Sequence, residues 1–152
     1  MNLKKLLENK NLYRKKISLS EIDKTIGQAH KALCAAEILL SSGKNIDDMA
    51  FKEAYDAMIL AGRALLFSFG LKPRTACAHI STVNFCESYF GISFAVFIKK
   101  FENMRRKRNY LIYGIGLCIS DIEAQKAVVD ARNFIDLIEK EIAKNRKQQK
   151  LV

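Results

Sequence analysis

The sequence has little that would interrupt a helix. Among its 152 residues are one proline and seven glycines, the two residue types that most often end or break a helix. No segment shows the strict apolar–polar alternation that is typical of a half-buried strand. These absences favour long helices with short connections, and they argue against a protein built around a β-sheet.

Uninterrupted hydrophobic runs are also short. The best candidate is split by Arg63, so no segment reaches the ~18 apolar residues that a membrane-spanning helix needs. The first residues, MNLKKLLENKN, lack the apolar centre of a signal peptide. No C-x-x-C pair is formed by the four cysteines, which are Cys34, Cys77, Cys86 and Cys118. We therefore expect a cytoplasmic protein with reduced thiols, no membrane association, no metal and no cofactor.

Positive charge is in clear excess. The chain has 26 Lys and Arg against 16 Asp and Glu, a net charge of +10, and its 49% hydrophobic content is that of a folded protein rather than a disordered one. Such an excess favours a polyanionic partner, which could be nucleic acid, a nucleotide or an acidic protein. The alternative is a charged surface that serves only solubility.

Five segments carry apolar side chains at the three- and four-residue spacing of amphipathic helices. They predict helices over about residues 18–40, 45–69, 75–89, 93–113 and 120–142. Ser18 with Glu21, and Ser120 with Glu123, have the spacing of capping boxes, and Asn45 is predicted as another N-cap. We predict one all-α domain over residues 1–152, an antiparallel four- to five-helix bundle without a sheet. Its core is expected at about residues 18–144, with basic tails at both ends.

The fourth predicted helix contains the most unusual stretch, RRKRNYLIYG at residues 105–114. Its apolar stripe consists of Phe94, Phe97, Phe101, Met104 and Leu111. Arg108 falls in the middle of this stripe, whereas Arg106 and Lys107 are predicted to point to water. A guanidinium among apolar neighbours is costly unless it is paired or faces a cleft. Arg108 therefore either lines a site or is a structural arginine, with Asp56 or Glu53 as its partner.

A second, polar ridge runs beside the stripe. Arg105, Asn109 and Tyr113 are spaced four residues apart and so lie on one side of the helix. Arg108 and Tyr113 are about 140° apart on an ideal helix. They can converge only if the helix loosens near Gly114, or if a second subunit supplies one of them.

The sequence of this helix predicts two kinds of partner. A homodimer is expected because a monomer would expose an aromatic-rich face made of Phe94, Phe97 and Phe101 beside Arg108. RNA or a nucleotide is expected to bind through phosphate contacts, largely without regard to base sequence. The side chains predicted to make these contacts are Lys99, Lys100, Arg105, Arg106 and Lys107.

Three stretches resemble the HEPN domain, an all-helical family found in many prokaryotic toxin–antitoxin and defence systems. FKEAYDAMILAGRALLFSFGLKPRT is similar to the family's second helix, AHISTVNF to its short third helix, and MRRKRNYLIYG to its signature region. The likeness covers roughly residues 20–142. It implies a helical bundle that handles RNA or nucleotides, often as a dimer and often with a minimal nucleotidyltransferase as partner protein. Active members are thought to cleave RNA without a metal.

The chain departs from the family's signature, which is an arginine followed after four to six residues by a histidine. Arg108 and Asn109 match its first part, but Tyr113 stands at the histidine position. A tyrosine, with an ordinary pKa of about 10, is a poor base at neutral pH. The resemblance assigns any catalytic role to Arg108, Asn109 and Tyr113. His79 and Tyr110 are predicted as supporting residues.

Three interpretations follow from the sequence. The first is an RNA- or nucleotide-binding module that acts with a partner as part of a toxin–antitoxin or nucleotidyltransferase-associated system. The second is an active, metal-independent endoribonuclease that uses Arg108 and Tyr113. The third is a purely structural helical bundle. His30 and His79 are expected to be structural, although His79 is the one that could reach the signature from another helix.

Overall fold

The structure, a computed structural model, describes residues 3–8, 11–92, 95–113 and 118–150, without the side chains of residues 3, 6, 97, 111–113 and 148–150. Its helices are α1 (Leu3–Glu8), α2 (Leu19–Ser41), α3 (Asp47–Ser68), α4 (Ala78–Phe90), α5 (Ala95–Tyr113) and α6 (Asp121–Lys150). Its strands are β1 (Leu12–Arg14) and β2 (Leu71–Pro73), and a short 3-10 helix covers Thr75–Cys77. The predicted all-α class and the five long helices are confirmed.

A small ribbon departs from the expectation of no sheet. Strands β1 and β2 pair antiparallel, with Leu12 opposite Pro73 and Arg14 opposite Leu71. Leu12 and Leu71 are each only 3% exposed, so the buried core extends to residue 12 rather than beginning near residue 18. Three-residue strands are too short to show alternation in a sequence, which is why the pattern did not reveal them.

The helix starts follow the predicted capping in two of three cases. Ser18 and Glu21 form a full capping box before α2. Ser120 and Glu123 exchange the same two hydrogen bonds before α6, each 3.2 Å long. Asn45 is not the N-cap of α3, because the cap is the residue after it, which makes no side-chain hydrogen bond. Asn45 instead has φ of 56°, a left-handed conformation that asparagine tolerates better than most residues.

Helix α3 is the centre of the bundle, and it contacts α2, α4, α5 and α6. Small side chains on α3 are fully buried, namely Ala50, Ala54, Ala57, Ala61 and Ala64. Gly62 marks its closest approach to α4, since a Cβ there would lie 2.8 Å from Cγ2 of Thr82 and 3.2 Å from Sγ of Cys86. This close packing fixes α4 against α3 and so determines where the side chains of both helices meet.

The predicted aromatic face of α5 is only partly described. Phe101 is fully buried and packs against Tyr55 and Phe134, with ring centroids 5.9 and 5.2 Å away. The expectation that Phe101 would be exposed on a monomer is therefore wrong. Phe94 and the side chain of Phe97 lie outside the described residues.

Within the described ranges, no helix is long and apolar enough to cross a membrane. All four cysteines are free, with Cys86 buried and Cys34 and Cys118 exposed. No group of three or more His, Cys, Asp or Glu side chains in the described part of the chain could hold a metal ion.

Candidate functional site

Arg108 lies on the bundle-facing side of α5, as its place in the apolar stripe predicts. Its side chain is 19% exposed, and its Nε is 3.6 Å from Oδ1 of Asp56 on α3. That distance allows an ion pair but exceeds an ordinary hydrogen bond. The buried Nε of Arg108 has no hydrogen-bond partner among the described residues. Of the two carboxylates considered from the sequence, Asp56 is the partner, while Glu53 pairs with Lys52 at 3.1 Å.

Asp56 is shared between two cations. Its Oδ2 is 3.6 Å from Nζ of Lys52, and its Oδ1 faces Arg108. Burial raises the pKa of Asp56, and the charges of Arg108 and Lys52 oppose this rise. Arg108 therefore shares the carboxylate of Asp56 with Lys52.

A tyrosine and a histidine meet where α3 and α4 pack together. The hydroxyl oxygen of Tyr55 is 3.1 Å from Nδ1 of His79, and the two rings stack with centroids 5.7 Å apart. Tyr55 is fully buried, and this burial raises its pKa, so its hydroxyl keeps its proton. The direction of this hydrogen bond follows the tautomer of the imidazole: the Tyr55 hydroxyl donates to Nδ1 when the proton of the neutral ring is on Nε2, and it accepts when that proton is on Nδ1.

His79 is held neutral by its surroundings. Burial lowers its pKa to about 4, and the positive charges of Arg63, Arg108 and Arg105 contribute to the lowering. Three guanidinium groups from α3 and α5 therefore act on one half-buried imidazole of α4. Positive charges grouped in this way are suited to an anion.

Arg63 is the residue that the sequence reasoning missed. It is half-buried on α3, and its buried Nε has no hydrogen-bond partner among the described residues. Burial lowers its pKa, and Tyr55 and Asp56 oppose this effect. The signal was visible in the sequence, since Arg63 is the cation that interrupts the longest apolar run. We call the following residues the arginine–histidine cluster: Tyr55, Asp56, Arg63, His79, Arg105 and Arg108.

Arg105 and Arg106 of α5 share the carboxylate of Glu102. Arg105 donates from Nε and from a terminal guanidinium nitrogen to the two oxygens of Glu102, both at 2.7 Å. Nε of Arg106 lies 3.1 Å from the same carboxylate, although the Arg106 side chain is 69% exposed and points to water as predicted. Arg105 is much more buried, at 18% exposure, and belongs to the arginine–histidine cluster.

The remaining cations of α5 point toward α6 or into solvent. Lys107 was predicted to point to water, but it pairs with Glu123 of α6. Lys100 pairs with Asp130 of α6 at 3.2 Å, whereas Lys99 is exposed and forms no ion pair with any described residue. The cations of α5 are therefore largely compensated, and of the two near His79, Arg105 is well paired while Arg108 has only the long contact with Asp56.

Comparison with known protein families gives a match that includes the candidate site. The sequence model of the HEPN domain matches residues 22–142, which include every residue of the arginine–histidine cluster. The chain belongs to the HEPN domain family. The resemblance noted in the sequence is thereby confirmed. A comparison with curated individual proteins gave no match.

The signature region of this HEPN domain is described only in part. Asn109 is half-buried and Tyr110 is 63% exposed. Tyr113 is the last residue of α5, and its side chain, like Gly114, lies outside the described residues. Arg108, Arg105 and His79 come together around α3, whereas the geometry between Arg108 and Tyr113 stays a prediction.

Proposed function

We propose that this HEPN domain binds RNA or a nucleotide, with the arginine–histidine cluster as the main phosphate-binding site. Three arginines have a buried Nε without a hydrogen-bond partner among the described residues, and the observation that carries the proposal is that two of them, Arg63 and Arg108, belong to this cluster. A buried guanidinium N–H without an acceptor is costly. Phosphate oxygens are acceptors that suit guanidinium groups and supply the opposite charge.

Exposed cations on α5 extend this site along a polynucleotide. Lys99 and Arg106 are exposed, and they lie on the helix that carries Arg105 and Arg108. Ion pairs hold Lys100 and Lys107 to α6, which reduces their availability to a ligand. Binding through so few free charges depends on backbone phosphates and carries little base recognition.

RNA cleavage is the second candidate activity, and His79 is the observation that favours it. A neutral imidazole beside arginines is a recurrent arrangement for proton transfer at a phosphate. A pKa of about 4 in the free protein makes His79 a weak base, however, because efficient bases have a pKa near the working pH. We therefore propose binding first and cleavage second, with Arg108, Asn109 and Tyr113 as further participants.

A protein partner belongs to the proposal. Ile92 and Val96, which lie before and in the first turn of α5, are 95% and 77% exposed, and Tyr110 farther along α5 is 63% exposed. Exposed apolar side chains on one element support an interface, here a homodimer. A minimal nucleotidyltransferase partner and a place in a toxin–antitoxin system are parts of the same proposal, supported by membership of the HEPN domain family.

The experiment is a salt titration of RNA binding. Fluorescence anisotropy of a labelled single-stranded RNA would be followed between about 50 and 200 mM salt, where the logarithm of affinity should fall linearly with the logarithm of salt. Because five of the six cations of α5 form ion pairs, we expect a slope on the order of −2, not the roughly −4 of six free cations. Absence of RNA and nucleotide binding at low salt would refute the proposal. Gel analysis of the same samples tests cleavage.

A further inference from the structure

We infer that Arg63, His79 and Arg108 form a pocket for one phosphodiester group of RNA, and that His79 takes up a proton when this phosphate binds. The inference rests on the proposed function and adds to it the residues of the pocket and a dependence on pH. Nothing in the signature region of the sequence pointed to Arg63 or to coupling with a proton.

Contacts with Tyr55 fix the orientation of His79. Its Nδ1 is 3.1 Å from the Tyr55 hydroxyl, and ring stacking against Tyr55 limits rotation of the imidazole. No described residue hydrogen-bonds to Nε2 of His79, so this nitrogen is available to a ligand. When the ring is protonated, Nδ1 becomes a donor, and the Tyr55 hydroxyl can accept because a hydroxyl both donates and accepts. The same contact therefore serves both charge states.

Charged residues on the helices packed around α4 influence the pKa of His79. Helix α3 contributes Arg63 and Asp56, and α5 contributes Arg105 and Arg108. In the free protein burial and the three arginines keep the imidazole neutral, while Asp56 is engaged by Arg108 and Lys52. Helix α1 and strand β2 also pack on α4. Their charged residues, Lys4, Lys5, Glu8 and Lys72, are not among the causes of the low pKa of His79.

A bound phosphodiester reverses this balance. Its negative charge offsets the arginines that disfavour a charged imidazole, and its oxygens accept a hydrogen bond from Nε2–H, which is stronger when the ring is protonated. Both effects raise the pKa of His79 in the complex. By linkage, a group whose pKa rises on binding makes the ligand bind more tightly as the pH falls toward that pKa. Binding of the phosphate and of the proton are thus mutually favourable.

The chain offers a matched control, because His79 and His30 are its only two histidines. His30 on α2 pairs with Glu139 of α6 at 2.9 Å and does not belong to the cluster. The variants His79→Asn and His30→Asn each remove one imidazole, so any effect that is common to the loss of a histidine appears in both. Asp56→Asn tests the other titratable group of the pocket.

The binding experiment uses a labelled oligouridylate, because neither uracil nor an internal phosphodiester titrates near neutral pH. We expect the natural protein and His30→Asn to bind it at least about fivefold more tightly at about pH 5.5 than at about pH 7.5, and His79→Asn to lose most of this difference. Asp56→Asn should keep the difference. A difference that survives in His79→Asn but disappears in Asp56→Asn would assign the proton to Asp56 and overturn the inference.

Proton NMR of the imidazole Cε1–H signals tests the same point in the unmodified protein. The two histidine signals are assigned with His30→Asn, and the midpoint of His79 is measured without ligand and with saturating oligouridylate. We expect a free midpoint near 4 that moves up by about two units in the complex, which is the shift that a fivefold gain in affinity at about pH 5.5 requires. An unchanged midpoint in protein that does bind refutes the proton-coupled pocket alone, whereas a complete lack of binding refutes the proposed function as well.

Discussion

The Tyr55 hydroxyl lies 3.1 Å from Nδ1 of His79, and this contact joins α3 to α4 at the centre of the candidate site. Burial keeps the tyrosine protonated, and burial together with the neighbouring arginines lowers the pKa of the histidine and keeps it neutral. A hydrogen bond between two neutral groups therefore persists at neutral pH among three guanidinium ions. This contact occupies Nδ1 of His79, whereas Nε2 has no hydrogen-bond partner among the described residues.

Acid should destabilise the free protein through His79. The pKa of this residue is lowered from 6.5 to about 4 on folding, so the unfolded chain binds more protons between these values. Its contribution to stability is complete above about pH 6.5 and is lost as the pH falls toward 4. Between pH 6.5 and about 5 we expect a loss of roughly 1 kcal/mol, after allowance for solvent around a half-buried ring.

Urea denaturation at several pH values measures this loss. His79→Asn should remove this acid-induced loss of stability. The pH dependence of His30→Asn should match that of the natural protein, because His30 lies at the surface of α2, where it pairs with Glu139 of α6. Equal acid sensitivity in all three proteins would show that other groups control stability in this range.

Arg108→Met should separate binding from stability. The substitution removes the charge but keeps the length and the apolar contacts of the side chain. Asp56 would still face Lys52 at 3.6 Å, so it is not left as an isolated buried charge, and stability should change by less than about 1 kcal/mol. RNA affinity should fall by roughly 1–3 kcal/mol, as expected for the loss of a charged hydrogen bond.

Arg132→Met is the matched control for Arg108→Met. It removes the same charge from α6, where Arg132 pairs with Glu37 of α2. Thermal melting and RNA titration of both variants would decide between the two roles considered for Arg108. A large fall in melting temperature with unchanged affinity would identify Arg108 as a structural arginine.

The sequence predicted those structural features that depend on residues close together in the chain. The capping boxes at Ser18 and Ser120 are local, and so is the position of Arg108 on one face of its helix. The contact between Tyr55 and His79 spans 24 residues and depends on how closely α4 packs on α3, which helical periodicity does not encode. For the same reason the grouping of arginines from two helices around His79 could not be predicted.

Gly62→Ala should test the packing that brings His79 to Tyr55. A Cβ at residue 62 would lie 2.8 Å from Cγ2 of Thr82, which is fully buried and cannot move without shifting α4. We expect a loss of about 1–3 kcal/mol in the free energy of unfolding, as for other overpacked cores. The displaced helix should also weaken the pH dependence that is due to His79.

Gly27→Ala is the control for this change. Gly27 is inside α2, and a Cβ there would meet nothing within 4 Å. Since alanine is the better helix former, we expect this variant to gain about 0.5–1 kcal/mol. Chemical denaturation of both variants measures the contrast. A Gly62→Ala protein as stable as the natural one would mean that α4 adjusts freely.

A homodimer should form through the exposed apolar side chains of α5. Light scattering at micromolar concentration should give about twice the monomer mass of 17.3 kDa. Val96→Asp puts a charge on this helix and should shift the protein toward the monomer, because an unpaired charge in an interface is strongly unfavourable. Ile38→Asp, at a 63% exposed position on α2, should leave the mass unchanged. If the natural protein is a monomer at these concentrations, any RNA site must be complete within one chain, and no residue of a second subunit would be needed beside Arg108.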